Sequence, residues 1–424
     1  MGLVLWLCSG TVHMIEHFYI SIIVLNWLLM KSEFSRINLL PNYVFAEINQ
    51  LKAKLRKKGN DIIDFGMGNP DMPTPEHIRN KLKEVVDKPG TGRYSVSKGI
   101  LGLRKAQANY YERRFGVKVN PENEVVVTLG SKEGLANLAQ AISSPGDIII
   151  SPNPSYPIHP YGFIIAGASL RHLPTMFEGK FDADKYLERL DLSIRHSSPT
   201  PVALIVSFPS NPTAQVVDLN FYKEVVKIAL KYQVYVLSDL AYAEIYFDQS
   251  PPPSILQVPK AKNIAVEFTS MSKTYAMAGW RIGYAVGNPK LIAALTKIKS
   301  YLDYGAFTPV QVAAVTALNG PQKCVSDIRS IYKNRRDVLV DSMARAGWEI
   351  PVPQASMFAW APIPKKYQKK GSLKFARDLM IKADVAVSPG IAFGEYGEGF
   401  VRIGLVENEQ RIRQAAKNVR NLLK

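Results

Sequence analysis

The sequence predicts an α/β protein: a large, mostly parallel sheet with helices on both faces, followed by a smaller α+β unit. Three observations lead there. Short runs that are apolar throughout alternate with stretches of helical spacing, and such strands need cover on both sides. The chemically unusual residues cluster just after these runs, where parallel sheets place their ligands. From about residue 347 the order changes to strands, a helix, a strand and a final helix.

The elements follow in chain order. VVVTL (125–129), DIIIS (147–151), ALIVSF (203–208), VYVLS (234–238), NIAVEF (263–268) and IGYAVG (282–287) read as strands. Helical stretches separate most of them. In one, Asp218 is a good N-cap, and Phe221, Val225, Ile228 and Ala229 recur at helical spacing. GWEIPVPQASMFAWAPIP (347–364) reads as strands, KFARDLMIKA (374–383) as a helix and FVRIGL (400–405) as a strand. A basic amphipathic helix over 409–423 closes the chain. The resulting division is an N-terminal extension (1–29), an arm that joins the small domain (30–66), a large domain (67–315) and a small one (316–424).

Composition narrows the function classes. The chain has 424 residues, 47% hydrophobic and 21% charged, enough for two or three domains' worth of core. The net charge is +17. Lys and Arg are spread along the chain, which reads as a solvated surface rather than a nucleic-acid footprint. Cys8 and Cys324 are the only cysteines, so a disulfide framework is excluded and a reducing, cytoplasmic setting fits. The six scattered histidines suggest no metal site and read as solvated or core residues.

Residues 1–30 stand apart, with no Lys or Arg and one acid, Glu16. The apolar run 18–30 is broken by Asn26 and is short for a bilayer span. A signal anchor and an arm packed on a partner subunit are two readings. The favoured one is upstream sequence ahead of a true start at Met30, because nothing in the body expects a membrane.

The chemistry sits at the strand ends. After the first run, Gly130, Ser131 and Lys132 open a helix, whose free N–H groups and positive dipole end can hold an anion. A glycine turn before a helix is more often only a turn. After the second, Tyr156 lies between prolines in a stiffened loop and could stack on a planar ring. After the third, Asn211 precedes Pro212 and could donate to a ligand oxygen; such turns are also common structurally. After the fourth come Asp239 and Tyr242. An acid at a buried strand end needs a cationic or hydrogen-bonded partner. A protonated heterocyclic nitrogen would serve, and a salt bridge to a lysine is the plainer alternative.

The fifth strand end is TSMSKTYAMAGWRIGY (269–284). Ser270, Ser272 and Arg281 could surround a phosphate, with Arg281 giving a bidentate contact. Lys273 among them, desolvated and near other cations, would be a nucleophilic amine and a base. A lone lysine is ordinarily a surface residue; its place at a strand end with a downstream Arg favours chemistry. An anion site, a stacking face, an Asn donor, a buried acid and an amine are the parts that hold pyridoxal phosphate.

The ordered set LLPNYVFAEINQLK, DIIDFGMGNPD, RYSVSKGILGLR, VTLGSKEGL, PNPSYPIHPYG, FPSNPTAQ, SDLAYAEI, SMSKTYAMAGWRIGY, KSYLDYGAFTP and VRIGLVEN resembles the fold-type I, class I/II aminotransferases, from about residue 35 onward. Within that family it looks most like the bacterial glutamate–pyruvate (alanine) aminotransferases. The resemblance implies a seven-stranded, mostly parallel large domain and a small domain built from both chain ends. It implies that Lys273 is the Schiff-base lysine and that Asp239 pairs with the pyridinium nitrogen of pyridoxal 5'-phosphate. Asn211 and Tyr242 would bond the ring oxygen, and Tyr156 would stack on the ring. Gly130, Ser131, Lys132, Ser270, Ser272 and Arg281 would hold the phosphate. Arg402 would take the substrate α-carboxylate, helped by Gly68 and Asn211, and a Lys there would be a poor replacement. Tyr94 would reach the phosphate of the other subunit, which implies a homodimer with shared sites. The implied substrates are amino acids and 2-oxo acids, with L-alanine and 2-oxoglutarate leading. LL-diaminopimelate, aspartate or methionine as donor, or a carbon–sulfur β-lyase reaction, use the same core motifs. A transcription regulator would need a DNA-binding segment that residues 1–40 are too short and apolar to form. No donor for a distal carboxylate stands out; Lys98 is the one candidate.

Overall fold

Alternate residues of each apolar strand point to opposite faces, and here both faces are covered. Val126, Ile149, Ile205, Leu237 and Val266 enter one core together with Leu135, Leu138, Phe163, Leu291 and Leu295. Val127, Ile150, Leu204 and Val236 enter another, together with Tyr110, Phe221 and Val225. This is why the runs carry no polar alternation.

The computed structural model describes residues 34–248 and 251–423. The expectations for residues 1–29 lie outside them. Residues 34–41 belong to a unit of their own, with one short helix, Ser35–Asn38. From residue 42 onward the chain forms a second unit, to which everything below refers.

Its large sheet has the order β2-β8-β7-β6-β5-β3-β4. The strands are β2 (Val125–Thr128), β3 (Ile148–Asn153), β4 (Ser169–Pro174), β5 (Ala203–Val206), β6 (Tyr235–Asp239), β7 (Ala265–Ser270) and β8 (Gly283–Gly287). All run parallel except β8, which is antiparallel to both its neighbours. The helix Leu219–Tyr232 starts as expected, with the Asp218 carboxylate accepting the Phe221 N–H at 2.8 Å. One strand was not foreseen: β4, SLRHLP, lies at the sheet edge, and of its residues only Leu173 is buried.

A second architecture surrounds a separate core. β1 (Ile63–Asp64) pairs in parallel with β10 (Val385–Ala386). β9 (Phe358–Pro362), β11 (Ser388–Pro389) and β12 (Phe400–Gly404) form an antiparallel sheet in the order β11-β12-β9. Helices Lys323–Arg345, Ser372–Ala383 and Glu409–Leu423 pack on the same core, through residues such as Leu339, Leu379 and Ile412. Ile48, Ile63 and Phe65 join it from the other end of the chain. Of 347–364, only Phe358–Pro362 is a strand; Pro351 and Pro353 lack the N–H a ladder needs.

Among the described residues no helix is long and apolar enough to cross a membrane. Nor does any group of His, Cys, Asp and Glu among them have the geometry of a metal site.

Candidate active site

The strand ends of the large sheet and one face of the smaller sheet line a cavity of about 450 Å³. Gly130, Ser131, Lys132, Tyr156, Asn211, Asp239, Tyr242, Ser270, Ser272, Lys273, Arg281, Arg402 and Gly68 all line it. Residues separated by more than 300 positions in sequence thus share one space.

One end is a cup of backbone. Gly130 has φ +86° and opens the helix Ser131–Ile142. A Cβ at Gly130 would stand 2.4 Å from an Arg281 terminal nitrogen, so only glycine lets the guanidinium lie against the turn. Arg281, at φ +57°, donates to the Ala278 carbonyl at 2.9 Å and the Leu129 carbonyl at 2.8 Å. The Ser270 hydroxyl caps the next short helix by accepting the Ser272 N–H at 3.1 Å. Free N–H groups, two serines and a fixed guanidinium suit a phosphate.

The floor carries Asp239, the last residue of β6. Its partner is not a lysine. The buried His159, on the helix Ile158–Ala166, meets Asp239 Oδ2 through Nε2 at 2.9 Å, and the Ala241 N–H donates to Oδ1 at 3.2 Å. The core-histidine expectation describes His159's burial but misses its contact with the site acid. The imidazole also meets the Tyr156 ring edge-on at 6.0 Å, and no local pattern in the sequence marks its carboxylate partner 80 positions away. Burial raises the Tyr156 phenol above its ordinary pKa, helped by the charge of Asp239.

Lys273 lies between the two ends. Its ammonium donates to the Gly68 carbonyl at 2.8 Å. Burial pushes its pKa down to about 8, with Arg402 and Arg281 adding repulsion. That leaves a useful fraction of free amine near neutrality.

The far end belongs to Arg402, in β12. One terminal nitrogen donates to Asn211 Oδ1 at 2.9 Å; the other reaches the Gly66 carbonyl at 3.1 Å and the Ser388 hydroxyl at 3.3 Å. The guanidinium carbon lies 4.1 Å from the Phe358 ring centre and 4.7 Å from that of Phe393. Its Nε is buried without a partner. Burial lowers its pKa to about 10, still a full cation at neutral pH. Asn211 Nδ2 also donates to the Tyr242 hydroxyl at 3.5 Å, so Asn211 links the clamp to the ring-facing phenol. Burial holds the Tyr242 hydroxyl firmly protonated. Gly68 is needed for space: a Cβ there would stand 2.6 Å from the Phe358 ring.

Tyr94, which the resemblance assigns to the other subunit's site, and Lys98 both lie outside this cavity. Tyr94 is 85% exposed, its ring centre 4.6 Å from that of Tyr304, and does not line the cavity of its own chain. The Lys98 ammonium donates to the Glu122 carbonyl and does not line the cavity either. Conversely, Tyr43, Phe45, Phe358 and Phe393 line it without having been singled out. Aromatic residues in apolar surroundings read as core, and their sequence carries no mark of what they face.

This geometry has known counterparts. The family of aminotransferases of class I and II matches residues 60–419. The putative aminotransferase AatC of Rhizobium meliloti (strain 1021) is 59% identical over 391 residues, covering 92% of this chain and 95% of that protein. The glutamate-pyruvate aminotransferase AlaC of Escherichia coli (strain K12) is 52% identical over 394 residues, 93% and 94% of the two chains. An LL-diaminopimelate aminotransferase of Moorella thermoacetica (strain ATCC 39073 / JCM 9320) is 40% identical over 391 residues, 92% of this chain and 98% of that one. Among solved structures, substrate-bound BacF from Bacillus subtilis superposes with a TM-score of 0.85 at 34% identity, covering 93% of this chain and 98% of that one. The chain belongs to the class I and II aminotransferases, a family that works with pyridoxal 5'-phosphate.

Proposed function

We propose that this chain is a pyridoxal-phosphate-dependent transaminase that moves the amino group of L-alanine to 2-oxoglutarate, giving pyruvate and L-glutamate. The observation that carries the reaction class is a single cavity that holds a lysine of lowered pKa, Lys273, between an anion cup and a buried guanidinium, Arg402. The substrate assignment rests on the 52% identity to a glutamate-pyruvate aminotransferase.

The donor set fits the cofactor: the Gly130–Ser131 turn with Ser270, Ser272 and Arg281 for its phosphate, Tyr156 for its ring face, and Asn211 and Tyr242 for its ring oxygen. Asp239 would hold its ring nitrogen protonated, with His159 fixing the carboxylate. When bound, the cofactor supplies a carbonyl carbon that accepts amino groups and a ring that delocalises electrons. Arg402 binds the α-carboxylate in a forked contact and so orients the Cα–H bond. Lys273 Nζ, as the neutral amine, would take the proton from the substrate Cα and deliver it to the cofactor carbon that receives the amino group, so the proton moves from one carbon to the other. The second substrate reverses the sequence, which makes the kinetics ping-pong. We also assign residues 67–315 to a cofactor-binding domain and 42–66 with 316–423 to a small domain, in a homodimer where Tyr94 serves the partner's site.

The test is a half-reaction. Protein loaded with pyridoxal phosphate is given L-alanine, L-glutamate, L-aspartate, LL-diaminopimelate and L-cystathionine separately, while cofactor absorbance and 2-oxo acids are followed. Fast amino transfer from alanine and glutamate, with release of pyruvate and 2-oxoglutarate, is the expected result. A faster reaction with LL-diaminopimelate, the reading favoured by the 40% identical relatives, replaces the substrate but not the chemistry. Pyruvate and ammonia from cystathionine, with no amino transfer, would make the chain a lyase. Cofactor capture by the cofactor-free protein gives the pH dependence. Only the neutral amine reacts, so the capture rate rises with pH and flattens above about 8, the pKa of Lys273. A rate still climbing above pH 10 would remove the depressed lysine from the account.

A further inference from the structure

Behind the anion cup lies a charged trio that the reaction does not use. Lys299, on the helix Pro289–Leu302, is fully buried. Lysines are seldom placed there without partners. Its ammonium donates to Glu133 Oε1 at 2.8 Å and to Asp303 Oδ2 at 2.9 Å. Asp303 is itself fixed, its Oδ1 accepting the Gly305 N–H at 2.6 Å and its carbonyl accepting the Ser97 hydroxyl.

Glu133 stands in the first turn of the Ser131 helix, where Oε2 accepts the Leu129 N–H at 2.8 Å. The Leu129 carbonyl accepts Arg281. One carboxylate therefore pins the turn that carries Gly130 and, through the next carbonyl, the cup's guanidinium. Asn137 also donates to Glu133 Oε1.

This arrangement has a conflict built in. A carboxylate is favourable at a helix N-terminus, but this N-terminus faces the place where a phosphate would sit. An uncompensated Glu133 would oppose the anion it helps to cradle. We propose that Lys299 is a positioning residue for the phosphate end of the site: shared between Glu133 and Asp303, it offsets one of their two charges, so that Glu133 holds the cup with less repulsion of the ligand. The proposal rests on the cofactor reading above and concerns affinity for the phosphate group alone.

The test compares dissociation constants of the cofactor-free protein for pyridoxal phosphate and for phosphate-free pyridoxal. The variants are Lys299→Met and the double variant Lys299→Met/Glu133→Gln. Lys299→Met should weaken pyridoxal phosphate on the order of tenfold or more, because a buried charge acts at low effective dielectric. Pyridoxal binding should change by less than about threefold, since it lacks the opposed charge. The double variant should recover the phosphate ligand to within about threefold of wild type. An unchanged ratio between the two ligands, or a double variant as weak as the single one, overturns the proposal. Should Lys299→Met not fold, Glu133→Gln alone decides: equal or tighter phosphate binding supports the assignment, and about tenfold weaker binding overturns it. Wild type that binds no pyridoxal phosphate would sink the cofactor reading itself, a result distinct from an insensitive Lys299.

Discussion

The cavity has two cationic ends, and they are built in opposite ways. Arg281 is exposed and held by two backbone carbonyls beside a glycine turn. Arg402 is buried between two aromatic rings, shares a polar contact with Asn211 and keeps an unpaired Nε. At the exposed end solvent screens each contact, so an anion there needs several modest donors at once. At the buried end one forked ion pair in low dielectric is strong and demands the right shape. The contrast suggests a division of labour. On the proposed reading, cofactor affinity would be spread over the cup and substrate choice concentrated in one guanidinium.

Arg402→Lys strikes the concentrated end and should have the largest effect. A lysine cannot give a bidentate contact, and its compact charge is harder to bury. The kcat/KM for L-alanine should fall on the order of 100-fold or more, through the loss of a buried charged hydrogen bond. Affinity for pyridoxal phosphate should stay within about threefold, because additivity holds for separate contacts. Titrating the cofactor and measuring steady-state rates on one preparation checks both. A matching fall in cofactor affinity would break the division, since it would mean the ends are coupled through Asn211 and Tyr242.

Gly130→Ala strikes the distributed end and should do the reverse. The new Cβ meets Arg281 at 2.4 Å, and φ +86° strains any side chain there. Arg281 must leave its two carbonyl partners. Cofactor affinity should drop about 10-fold to 50-fold, the loss of one or two charged contacts out of several. The preference for alanine over an amine without a carboxylate should not move. Measuring that preference at saturating cofactor separates the two effects; a changed preference would mean that the cup also governs substrate choice.

The two ends also differ in how far the sequence revealed them. The cup is local: Gly130-Ser131 follows a strand, and Ser270, Ser272, Lys273 and Arg281 sit within twelve positions. Turn chemistry and strand-end position were enough to find it. Lys273 and Asp239 were legible for the same reason. The cation and rings of the clamp come from two stretches, Phe358 and the segment from Phe393 to Arg402, and of these three residues the family resemblance marks only Arg402. His159 was passed over because a buried histidine reads as core until its carboxylate partner is seen 80 positions away. The main strands of the sheet were visible from their apolar runs. The edge strand β4 was not, because one polar face leaves a pattern like that of a loop.

Phe393→Leu tests whether the rings around Arg402 matter for more than filling space, and it should give the smallest effect. Phe393 is buried at the end of a short turn, Gly390–Phe393, and its ring also meets Phe45 edge-on at 5.4 Å. Leucine keeps apolar volume but removes the negative ring face that attracts the guanidinium. A cation–π contact contributes roughly 1–2 kcal/mol in a desolvated site, so KM for L-alanine should rise about tenfold. The turnover of ethylamine, which has no carboxylate for Arg402 to hold, should stay the same within about twofold. Cofactor affinity should be untouched, as for Arg402→Lys. Equal losses for alanine and ethylamine would show that Phe393 only shapes the pocket. A loss confined to alanine would show that the aromatic sandwich holds the guanidinium plane where a carboxylate can meet it.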